Sequence, residues 1–192
     1  MVMRTRLANF KYAVATLAVC VIPQIALAQD ADGQTRAANL LTELSQAADA
    51  ATADRLERAL IYEWSRTGSP ALDLLLTRGR AALEVNDHKR AVEHLTALTD
   101  HAPEFAEGWH QLALAYFHSS AIGPAIDALE RALALNPNHF PALRGMAVIL
   151  DGLGKHALAE RAYQAVLNIR PHDSDAQAAL DRLTSLTMGT AL

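Results

Sequence analysis

The apolar residues of this chain recur at spacings of three and four, in blocks that repeat along the sequence. Between Ala106 and His139, Trp109, Leu112, Ala113 and Tyr116 stand at i, i+3, i+4 and i+7. That spacing places four side chains on one face of a helix. Beyond a break at Ser119–Gly123, Ala125, Leu129 and Ala132 trace a second apolar face. Small side chains at Ala113 and Ala125 let two backbones approach, and Trp109, Tyr116 and Leu129 fill the space beside that contact. Pro137 cannot continue the second helix and biases Asn136 away from helical geometry, so the chain turns there. The block is predicted to be a helical hairpin 34 residues long.

The same pattern flanks it on both sides. Leu72–Phe105 carries Leu75, Gly79, Ala82, Ala91, Leu95, Leu98 and Pro103, and Phe140–Asp173 carries Leu143, Met146, Ala147, Leu150, Ala159, Tyr163, Val166 and Pro171. Counted from the start of each block, these fall at positions 4, 7, 8, 11, 20, 24, 27 and 32, with all eight matched in the central block. The chain resembles the tetratricopeptide repeat family. That resemblance implies an all-α, right-handed α-solenoid of helix-turn-helix repeats with capping helices, its ends at opposite poles. The units are residues 72–105, 106–139 and 140–173. Arg78 departs from the pattern at position 7, where its head must reach water or a carboxylate. Asp87 is the expected N-cap of the second helix in its unit.

Upstream, Thr35–Ala50 (Leu40, Leu41, Leu44, Ala47, Ala48) and Asp54–Trp64 (Leu56, Leu60, Ile61, Trp64) read as a hairpin partly in register. Glu57 stands where a small residue belongs, and Pro70 comes one residue late. Residues 29–71 are therefore expected to be a short polar linker, Gln29–Gln34, and a degenerate first repeat capping the array. Residues 174–192 are expected to form a C-terminal capping helix and tail, with Asp173 or Ser174 as N-cap and Leu180 and Leu183 facing inward. The run Glu63-Trp64-Ser65-Arg66, Gly68-Ser69-Pro70 and Asp73-Leu74-Leu75-Leu76 is also similar to small exported bacterial tetratricopeptide proteins without an established activity. This likeness implies a location rather than a mechanism.

The first 28 residues read as a signal peptide. Arg4, Arg6 and Lys11 precede the uncharged run Tyr12–Ile22, and Ala26-Leu27-Ala28 offers small residues for cleavage after Ala28. An apolar run this short falls below the roughly twenty residues of a membrane span. The expected location is the periplasm. A retained leader, the alternative, would make the protein a membrane-anchored periplasmic domain. Without the three basic residues of the leader, which holds no Asp or Glu, the net charge falls from −4 to −7. So acidic a chain is a poor match for nucleic acid or anionic lipid. The single cysteine, Cys20, leaves with the leader, so no disulfide is expected.

No phosphate-binding glycine loop, nucleophile elbow or zinc-protease motif occurs, and the expectation is a non-enzyme without cofactor or small-molecule substrate. All eight histidines lie between His88 and His172. The pairs His94/His101 and His110/His118 are seven and eight apart, not the three or four of a helical metal site. They are expected to face solvent rather than a metal.

In these repeats the first helices line the concave face, and positions 2, 5, 9, 12 and 13 point into it. By that resemblance the partner-binding groove comprises Asp73, Leu76, Arg80, Leu83 and Glu84, then Glu107, His110, Leu114, Phe117 and His118, then Arg144, Val148 and Asp151. Leu76, Leu83, Leu114, Phe117 and Val148 form an apolar set whose cover, if any, would be the N-terminal hairpin or a second copy. Only Arg80 and Arg144 could grip a C-terminal carboxylate, which argues for a mixed apolar and charged peptide. The function implied is a non-catalytic scaffold for a protein or peptide partner. The alternative is a chaperone-like assembly factor for envelope machinery such as cytochrome c maturation or outer-membrane protein assembly.

Overall fold

A computed structural model describes residues 22–189, with side chains from 33 to 186. Most of the expected leader, including its three basic residues, lies outside the described residues. Among the described residues the structure is all helix: α1 (Ile22–Ser45), α2 (Ala50–Trp64), α3 (Pro70–Glu84), α4 (His88–His101), α5 (Ala106–His118), α6 (Ile122–Leu135), α7 (Phe140–Gly152), α8 (His156–Ile169) and α9 (Ser174–Gly189). None of them is long and apolar enough to cross a membrane.

The 34-residue period is visible in the backbone. Asn86, Ser120 and Gly154 occupy position 15 of their units, and all three take positive φ, 57°, 59° and 72°. Each lies in the turn between the paired helices, where the left-handed conformation reverses the chain. Five positions later, Ala91, Ala125 and Ala159 are fully buried. At that depth only a methyl group fits between the helices of a pair. Gly79 goes further, since a Cβ there would lie 2.5 Å from Cγ of the buried Leu95.

Three core clusters each join one hairpin of the array to the first helix that follows it. Leu76, Leu95 and Leu98 pack with Leu112 and Ala115 of α5, and Ala125, Leu129 and Ala132 pack with Ala142 and Ile149 of α7. Ala147, Tyr163 and Val166 pack with Ala176 and Leu183 of α9. Trp109 touches the first two clusters, and its indole N–H donates to the Pro103 carbonyl at 2.9 Å. Asp87 caps α4 by accepting the Arg90 N–H, Asp173 caps α9 by accepting the Ala176 N–H, and Arg78 is exposed.

The N-terminal arm departs from expectation. Gln29–Gln34 is not a linker but part of α1, and cleavage after Ala28 would fall inside that helix. Nor does the hairpin extend the array at its first unit. It turns back across the joints between units, and α1 packs on α8. Its core of Leu44, Ala53 and Leu60 closes over Phe140, with Ile169 at the edge. Two features redirect it. Glu57, out of place for a repeat, meets the Arg170 guanidinium at 2.7 Å, and Trp64 stacks on His139 at 4.8 Å. The N-terminal hairpin therefore docks on the third unit, against α7 and α8, rather than capping the far pole of the array.

Candidate functional site

The first helices of the units, α3, α5 and α7, lie side by side, and their inner face is divided by the returning hairpin. On the uncovered side is a cavity of about 430 Å³ lined by Leu114, Phe117 and His118 of α5, Arg144 and Val148 of α7, and Tyr163 of α8. Phe117 and Val148 remain 37% and 44% exposed, which is high for apolar side chains at a concave surface. His118 stacks on His88 at 5.5 Å with rings 12° apart, and Phe117 meets its edge. Burial, then the nearby Asp151, raises the Tyr163 pKa, so the phenol stays neutral. On the hairpin side a second cavity, about 530 Å³, is lined by Leu41 and Trp64 of the hairpin and by Phe105, Leu135 and His139.

Between the two cavities lies a buried polar cluster. Glu107, at the start of α5, is 3% exposed, and His110, one turn on, is 7% exposed. His139, fully buried, caps α7. Its Nε2 lies 2.8 Å from Glu107 Oε2, and its Nδ1 lies 3.2 Å from the Ala142 N–H. Because Nδ1 must accept there, the ring carries its proton on Nε2 and donates it to the carboxylate. His110 Nδ1 approaches the same oxygen at 3.3 Å. The other oxygen, Oε1, takes the Gln111 amide at 2.8 Å and the Arg80 guanidinium, which also reaches the Ser65 hydroxyl at 2.9 Å.

Burial alone would raise the Glu107 pKa. The charge and hydrogen bond of His110 and the hydrogen bond from His139 outweigh it and hold the carboxyl well below the usual range. His139 is shifted down, chiefly because burial disfavours an imidazolium. Glu107, His110 and His139 bring three donor atoms within 4.8 Å of one another, a set chemically suited to zinc. The hydrogen bonds already engage those atoms. A metal on His139 Nε2 would move the ring proton to Nδ1, against the Ala142 N–H, and Arg80 already neutralises the carboxylate. The triad is thus an internal ion-pair network rather than an ion cradle.

Comparison with known proteins fits this geometry. A family model described as tetratricopeptide repeat matches residues 76–139, and a second of the same description matches residues 121–183. The chain is a tetratricopeptide repeat protein. A TPR repeat-containing protein of Rhizobium etli is 29% identical over 150 residues, 78% of this chain and 74% of that one. Human serine/threonine-protein phosphatase 5 is 26% identical over 54% of this chain and 21% of its own length. Among solved structures, MamA superposes with a TM-score of 0.58 at 27% identity, over 60% of this chain and 68% of that one. The first TPR of Spaghetti (RPAP3), bound to the HSP90 peptide SRMEEVD, gives 0.59 at 21% identity, over 61% of this chain and 93% of that one.

The expected groove of this tetratricopeptide protein splits in two. Leu114, Phe117, His118, Arg144 and Val148 do line one open cavity. His110 borders the same cavity from the buried cluster, and the others, apart from the exposed Glu84, turn inward or hold structure together. Leu76 is 3% exposed and belongs to the first core cluster, because α3 and α5 pack closely enough to bury position 5. Leu83 packs beside that cluster, and Glu84 is exposed. Asp73 accepts the Thr67 N–H and hydroxyl at 2.9 and 2.7 Å, which fixes the approach to α3. Arg80 and Glu107 pair with each other, and Asp151 pairs with Arg182. His110 and His139 are not the solvent-facing histidines expected, since both are needed inside to satisfy Glu107. Comparing histidines only with one another missed this. Glu107 stands three residues before His110, a carboxylate–imidazole pair on one helix face that was visible in the sequence.

Proposed function

We propose that this protein is a non-catalytic scaffold that holds an extended segment of a partner protein in the uncovered cavity of its concave face. The observation that carries the reading is Phe117 beside Val148, two exposed apolar side chains in a concavity of about 430 Å³. A pocket of that size takes a few side chains, not a folded domain. The first TPR of Spaghetti holds a peptide, which supports the same use of the fold here. The mode of grip differs. Arg80 and Arg144, the two cations available on these faces, are engaged by Glu107 and the buried Asp173. Recognition therefore rests on apolar contact with polar help from His118 and Asp175, rather than on a clamp for a C-terminal carboxylate. The basic start, short apolar run and Ala26-Leu27-Ala28 support export, so the partner is sought in the periplasm.

Crosslinking and pull-down from the envelope fraction test this. Phe117→Ala and Val148→Asp should keep the parent's helical content and lose the captured partner. Full capture by both folded variants would move the site to the outer helices.

A further inference from the structure

The returning hairpin is held to the array at two places of different chemistry. At one end, Arg170 meets Asp54 and Glu57, and His172 Nε2 donates to the Ala47 carbonyl at 2.9 Å. An arginine keeps its charge at any working pH, and a histidine that already donates keeps doing so when protonated. At the other end Trp64 lies flat on His139, 4.8 Å away with rings 20° apart, and Ser65 takes the Arg80 guanidinium. Here the contact depends on an imidazole with both nitrogens in use and one of them obliged to accept.

We propose that the junction of Trp64 and His139 is an acid-released latch: a proton on His139 Nδ1 frees the Trp64 end of the hairpin while the Arg170 end stays docked.

The geometry supplies the reason. The incoming proton would point at the Ala142 N–H, inside the first turn of α7, where the helix dipole is positive. The groups around the ring offset this only in part, because burial outweighs them. From α5, Glu107 is already matched by Arg80 of α3, and His110 adds a second imidazole 4.8 Å from the first. From α2, Glu63 faces the adjoining cavity but is paired with Arg36 and Arg66. Glu104, which lines the same cavity, pairs with Arg131 of α6. The favourable contributions are the hydrogen bond and charge of Glu107, which burial outweighs, and the Trp64 face, worth about 0.5–1 kcal/mol to a cation at an exposed site. A histidine pulled out of the junction escapes all these constraints and titrates in water, so acid favours the open arm. Opening widens the 530 Å³ cavity and uncovers Trp64, Phe140 and Leu41, which lengthens the concave face.

The test uses the full chain. Amide hydrogen exchange, corrected for intrinsic rates, is followed in α2 from about pH 7.5 to about pH 5.5, the range in which an ordinary histidine titrates. Trp64 emission is read in parallel in a Trp109→Phe background, which leaves one tryptophan. Protection in α2 should fall about tenfold on acidification and Trp64 emission should shift to the red, while α4 to α8 stay folded and better protected than α2. His139→Asn keeps an acceptor for the α7 cap but has no ring to titrate, so the step should vanish whether its arm rests open or closed. Constant protection of α2, a step that persists in His139→Asn, or collapse of α4 to α8 to the same protection as α2 would each overturn the latch.

Discussion

Glu107 is a carboxylate at a place where a repeat protein would ordinarily present a side chain to its ligand. Here it is 3% exposed and takes contacts from Arg80, Gln111, His110 and His139. Removing it would leave the Arg80 charge without its partner and His139 without its acceptor. Glu107→Ala should cost about 3 kcal/mol, toward the lower end for a broken buried pair because Arg80 is partly solvated, measured by urea titration. Arg80→Glu should cost at least as much, since it sets two carboxylates against each other. Sequence reasoning treats Arg80 as a free groove residue, and that expectation fails for a physical reason. The spacing of a helix tells which face a side chain occupies, but not what the neighbouring unit places opposite it. The exposure of Phe117 and Val148 was legible because none of the described residues crosses in front of them. Leu76 was misread because α5 does.

At the scale of the helix pair, the repeat length fixes where the chain must reverse. Ser120 and Gly154 occupy the same left-handed position, one with a Cβ and one without. Ser120→Gly should therefore stabilise the protein by about 1 kcal/mol, and Gly154→Ala should destabilise it by about the same amount. A matched shift of the urea midpoint in opposite directions is the expected result. Ala125, fully buried between α5 and α6, tests the close approach of the pair. Ala125→Leu should cost about 1–3 kcal/mol by overpacking, with helical content retained. These elements were readable in advance because the period of apolar residues records the packing directly. The hairpin of α1 and α2 was readable as two helices but not as to its place. Its docking depends on Trp64, Glu57 and Arg170, long-range partners that no local period encodes.

For the whole molecule, pH should act with a definite sign. Glu107 has a folded pKa held below the ordinary value near 4.5, so its stabilising contribution is full above that value and is lost as pH falls from there through the lower folded pKa. His139 also has a lowered folded pKa. Below its ordinary value near 6.5, the unfolded ring takes up a proton that the folded one refuses, which favours unfolding. Both effects weaken the fold toward acid. The urea midpoint should decline as pH drops through the mid-sixes, and His139→Asn should remove that first part of the decline. Each unit of the array otherwise packs only on its neighbours, as solenoids do.

The ion pair of Arg170 with Asp54 joins residues 116 apart in the sequence. A ribosome releases Asp54 long before Arg170, so the first helices to be made are among the last to find their place. Until α7 has begun, Trp64, Leu44 and Leu60 have no Phe140 to cover them, and until α8 is complete the hairpin lacks its Arg170 anchor. Local repeats close quickly and distant contacts slowly, which predicts two kinetic phases in refolding. Helix formation should come first, and Trp64 should reach its final environment only in the second. During synthesis, that interval leaves the leading arm open to whatever else can hold an apolar helix.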